Sequence, residues 1–84
     1  RKKSIYRISP KIDYTRRKRM NLGDKILQLR KKNGLSQEQL GEKVDVTRQT
    51  ISNWELGETT PNPEQLKKMS KAFNVSVDEI LDND

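Results

Sequence analysis

Arg48, Gln49, Ser52 and Asn53 stand at i, i+1, i+4 and i+5, so a helix drawn through them carries all four polar side chains on one side. Their chemistry suits flat, hydrogen-bonding edges. A guanidinium offers paired donors that match the two acceptors of a guanine edge, and a Gln or Asn amide offers the donor–acceptor pair that matches adenine. Gln37 lies eleven positions upstream of Arg48, at the head of its own polar-to-apolar segment. A side-chain amide beside an exposed helix N-terminus suits a phosphate oxygen. Ser36, Thr47, Thr50, Ser52 and Asn62 add small hydroxyl or amide groups able to bond a phosphate backbone. Thr50 is also suited to a thymine methyl. Each residue has a plainer description too: Ser36 and Thr47 as helix caps, the rest as a solvated face.

Other chemistries are poorly supplied. The 84 residues contain no Cys and no His, which removes thiolate and imidazole metal ligands and the commonest general base. No nucleophile–base pair and no phosphate-cradling glycine loop occurs. The expectation is therefore a protein that is not an enzyme and needs no metal or cofactor. The longest apolar run is two residues, too short for a membrane span or a signal peptide, so the expected location is cytoplasmic.

The net charge of +6 is unevenly spread. Residues 1–20 carry nine basic groups against Asp13 alone, while residues 21–84 carry nine basic and eleven acidic groups. Residues 1–20, with Pro10 at their centre and no helical or strand period, are expected to be a flexible basic arm. A dispensable leader before a start at Met20 is equally open. Residues 21–84 are expected to form one small domain, positive at its first half and negative at its second, which would orient it in the field of a polyanion.

The candidate residues require short helices to hold them. Leu22, Ile26 and Leu29 predict a first helix over about 22–33, stopped by Asn33-Gly34. Ser36 with Gln39 forms a capping box for a second helix over about 37–44, with Leu40 and Val44 inward. Asp45-Val46 makes a turn, and Thr47 caps a third helix over about 48–56 whose inner side is Ile51 and Trp54. That spacing makes Trp54 a core residue and not a stacking platform. Gly57 ends this helix, and Pro63 or Glu64 opens a fourth with Leu66, Met69 and Phe73 at helical spacing. Ser76 caps a last short helix over 77–81. No strand pattern appears. Two helices joined by three or four residues at a steep angle need a small residue at their closest approach and a turn residue tolerant of positive φ. Gly41 and Asp45 meet both demands.

Leu35-Ser36-Gln37-Glu38-Gln39-Leu40, then Val46-Thr47-Arg48-Gln49-Thr50-Ile51-Ser52-Asn53-Trp54-Glu55, then Gly57, Pro61 and Phe73–Glu79 resemble the phage repressor/Cro (Xre-type) helix-turn-helix family over about residues 22–81. The resemblance implies an all-α, five-helix bundle of the lambda-repressor kind. It implies a transcriptional regulator, in the usual case a repressor, that binds double-stranded DNA as a homodimer on a near-palindromic operator. Arg48, Gln49 and Asn53 match the family's base-reading positions, and Gln37 its backbone contact. Arg30 and Glu55 match a structural pair that ties the first helix to the end of the third. One departure is the loop after helix three, Leu56–Asn62, which holds an acid and no base where the family often has Lys or Arg.

Two rival readings remain at the level of sequence. One is an antitoxin-like or adaptor module whose main partner is a protein; it has no need of Arg48, Gln49 and Asn53 together on one face. The other is a basic arm with its own RNA or membrane-surface activity, fused to a small bundle. The chain stops at Asp84, just after the bundle should close, which leaves room for a C-terminal sensor or oligomerisation region in a longer protein.

Overall fold

The computed structural model describes residues 20–81. The basic arm expected over residues 1–19 and the closing residues 82–84 lie outside the described residues. Within them the chain forms five helices and no strand: α1 Leu22–Lys32, α2 Gln37–Val44, α3 Arg48–Leu56, α4 Pro63–Phe73 and α5 Val77–Ile80. α1 ends one residue earlier than its apolar spacing suggests, because Asn33 acts as C-cap before Gly34 turns the chain at φ +69°. α5 likewise stops at Ile80, with Leu81 as its cap.

Each start is fixed by a short polar side chain that satisfies a backbone N–H left over in the first turn. Ser36 Oγ accepts from the Gln39 N–H at 3.0 Å while the Gln39 side chain accepts from the Ser36 N–H at 2.8 Å, a complete capping box. Thr47 Oγ1 accepts from the Thr50 N–H at 3.1 Å, and Ser76 caps α5 in the same way. Asn21 starts α1, its side chain accepting from Asp24 at 2.8 Å. Asn62 starts α4 with a second full capping box to Gln65, and Pro63 occupies the first helical position. The Asn62-Pro63-Glu64-Gln65 run already carried that signal in the sequence.

One core unites the helices: Ile26, Leu29, Leu40, Val44, Ile51, Trp54, Leu66, Met69, Phe73 and Ile80 are buried. α3 packs on both α1 and α2, α4 packs on α2, and α5 closes against α4 and α1. Two glycines permit the close approaches that seat α3. A Cβ at Gly41 would lie 2.6 Å from the Val46 carbonyl oxygen in the turn, and a Cβ at Gly23 would lie 2.6 Å from the carbonyls of both Trp54 and Glu55. Between α2 and α3 the chain turns in three residues. Asp45 takes φ +63°, a left-handed conformation that Asp tolerates better than most side chains, and the Val46 N–H returns to the Gly41 carbonyl at 2.9 Å.

Candidate nucleic-acid interface

α3 is held from behind. Ile51 is fully buried and Trp54 is 3 % exposed, so the helix cannot roll without uncovering both. Fully burying a side chain such as Ile51 stabilises by about 1.5–3 kcal/mol, and that fixes which residues face out. Arg48 and Gln49 are exposed, and Thr50, Ser52 and Asn53 are half-buried. The Gln49 amide nitrogen donates to Asn53 Oδ1 at 3.1 Å, so the two amides stand together one turn apart. Gln49 thereby keeps its own carbonyl oxygen and a second N–H, the pair that an adenine edge requires. The Thr47 and Thr50 hydroxyls are 3.1 Å apart at the head of α3.

Behind this face lies a charged cluster. Arg30 on α1 donates from Nε to Glu55 Oε2 at 2.6 Å and from Nη2 to Glu55 Oε1 at 3.3 Å. Its Nη1 donates to the Leu35 carbonyl at 2.9 Å, on the approach to α2. The two side chains are only 11 % and 6 % exposed. Gln37, the first residue of α2, joins them by donating from Nε2 to Glu55 Oε1 at 2.9 Å. One carboxylate thus gathers the end of α3, the body of α1 and the head of α2. The spacing of eighteen residues between Gln37 and Glu55 gave no sign of this contact.

The remaining candidates are placed as follows. Ser36, Thr47 and Asn62 each accept a capping hydrogen bond through the side-chain oxygen. Ser36 heads α2 and Thr47 lies in the turn before α3, whereas Asn62 sits at the head of α4. In the loop after α3, the backbone N–H groups of Glu58 and Thr59 return to the Asn53 carbonyl at 2.9 and 3.4 Å. Leu56, the last residue of α3, is 70 % exposed and stands one turn beyond Ser52 and Asn53, so the outward side of the helix is apolar at its far end. Among the described residues, no group of three or more His, Cys, Asp or Glu side chains could hold a metal ion. No helix among them is long and apolar enough to cross a membrane.

The helix-turn-helix family model matches residues 26–80, which take in all of α2, α3 and α4 and the turn between the first two. This chain belongs to the helix-turn-helix family. Its likeness to the phage-repressor (Xre-type) branch is direct. The chain is 43 % identical over 63 residues to Repressor protein C2 of Salmonella phage P22, across 75 % of this chain and 29 % of that protein. It is 48 % identical over 62 residues to the HTH-type transcriptional activator BcrR of Enterococcus faecalis, across 74 % of this chain and 30 % of that one. Both relatives are therefore matched over less than a third of their length. Among solved structures, the fold superposes on the P22 c2 repressor in complex with a synthetic operator, with TM-score 0.73 and 41 % identity over 79 % of this chain and all of that one. It also superposes on the biofilm regulator SinR in complex with DNA, with TM-score 0.68 and 37 % identity over 73 % of this chain and 98 % of that chain.

Proposed function

We propose that residues 21–84 form the DNA-binding domain of a transcriptional regulator that lays α3 in the major groove of its operator. The observation that carries this reading is the division of α3: Ile51 and Trp54 are buried, and the opposite side offers Arg48, Gln49 and Asn53. In a helix-turn-helix the second helix of the motif enters the groove while the first crosses the backbone. On that geometry Arg48 pairs with a guanine edge, and Gln49, steadied by Asn53, pairs with an adenine edge. Gln37 at the head of α2 donates to a backbone phosphate, with Ser36, Thr47, Thr50 and Ser52 beside it. Asn62 spends only its Oδ1 on capping, so its side-chain NH2 is left to donate to a phosphate.

The relatives support a transcriptional regulator, which we place in the cytoplasm, and they include both a repressor and an activator by name. Repression is the role we assign, because the neighbour seated on an operator is a repressor and two further relatives, one of them from Acinetobacter baylyi, are repressors or regulators by name. The domain acts as a homodimer on a near-palindromic site. Selection from a random duplex pool tests this directly. The expected product is a palindrome with half-sites about 34 Å apart. Recovery of no common sequence would remove the proposal.

A further inference from the structure

The Gln37–Glu55 contact does more than join two helices. A phosphate contact needs the Gln37 amide to present N–H outward, yet an unrestrained Gln rotates its amide freely and shows its carbonyl oxygen, which repels an anion, as readily as its nitrogen. Here the Gln37 side chain donates one N–H to the Glu55 carboxylate at 2.9 Å. A carboxylate only accepts, so the nitrogen must face Glu55, and the carbonyl oxygen is turned away from it. Among the described residues the second N–H meets no acceptor. Arg30 completes the device: its guanidinium spans both Glu55 oxygens and cancels a charge that would otherwise oppose an approaching phosphate.

We infer that Glu55 is a positioning residue for DNA, fixing the Gln37 amide with its free N–H available to a backbone phosphate at the head of α2. The inference rests on the DNA-binding function proposed above. It assigns Glu55 a role in affinity that it exerts without touching DNA, and that depends on Gln37.

The test is a double-mutant cycle on the operator duplex obtained by pool selection, using the full chain, Gln37→Ala, Glu55→Gln and the double variant. Glu55→Gln keeps the shape but sets an NH2 group against Gln37 or Arg30. Each single change is expected to weaken binding about tenfold, the loss of one charge-assisted hydrogen bond. The double variant is expected to bind no worse than either single one, because both changes remove the same contact. Losses that multiply to about a hundredfold would overturn the inference. Should Glu55→Gln fail to fold, Glu55→Asp replaces it, keeping the charge for Arg30 while shortening the reach to Gln37. An independent readout comes from the side-chain amide signals of Gln37 in the free protein. They are expected to be set apart from those of the exposed Gln28 and to collapse toward them in the Glu55 variant. Gln37 signals that do not respond to the Glu55 change would also sink the inference. If the intact chain binds no duplex, the functional proposal falls too; if it binds and the losses multiply, only the positioning role falls.

Discussion

Arg48 and Arg30 show how one residue type serves two ends. Arg48 is exposed at the head of α3, where we propose that it meets a base edge. Arg48→Ala is expected to cost about 1–3 kcal/mol and to relax base preference at a single operator position. Binding to a set of singly substituted duplexes measures this, and a uniform loss across all of them would make Arg48 a backbone contact. Arg30 has its guanidinium spent inside the protein, on Glu55 and on the Leu35 carbonyl. Arg30→Met would leave the Glu55 carboxylate buried without its partner. Breaking a buried pair in this way costs about 3–5 kcal/mol. Urea unfolding is expected to show the loss as a lower midpoint with unchanged slope, whereas a change within error would mean that water replaces the guanidinium at no cost.

At the scale of the element, caps and close approaches set where each helix begins and how it sits. Gly41 lies where the turn backbone passes α2, with no space for a methyl group before the Val46 carbonyl. The obstacle is backbone, so it cannot swing aside as a side chain would. Gly41→Ala is expected to destabilise the fold by about 1–3 kcal/mol despite the better helix propensity of alanine. Thermal unfolding checks this, and a more stable variant would mean that α2 and α3 have room to part. Asn62 separates two roles that share one side chain. As a cap its replacement by Ala is expected to cost about 1 kcal/mol of stability. If capping is all it does, operator affinity measured well below the melting transition stays unchanged.

For the whole molecule, the distribution of charge matters more than its sum. Residues 21–84 are slightly acidic, and the loop after α3 holds Glu58 and no basic residue. The excess of positive charge belongs to residues 1–19, with nine basic groups against one acid. The affinity of a protein for duplex DNA falls with salt by a slope of about 0.9 for each phosphate it neutralises. Deleting residues 1–19 is therefore expected to weaken operator binding and to flatten its salt dependence while leaving the selected sequence unchanged. An identical salt slope for the shortened chain would show that those charges do not meet the DNA.

Much of the fold could be read from residue order, because its determinants are local. Apolar spacing marked the first four helices, Ser36, Thr47 and Ser76 marked the starts of the second, third and fifth, and Asp45 marked the positive φ of the turn. Ile51 and Trp54 fixed the inner side of α3 by their spacing alone, and with it the outward set of Arg48, Gln49 and Asn53. Asn21 and the Asn62 capping box are equally local, the latter signalled by Asn62 standing directly before Pro63. What residue order could not supply is contact between distant segments. That Gly23 admits the backbone of Trp54 and Glu55, and that the Gln37 amide ends on the Glu55 carboxylate, depends on how α1, α2 and α3 cross. Those crossings arise only when separate apolar stripes are buried together. The periodicity within one helix says which side turns inward, and only the packed core decides what that side will meet.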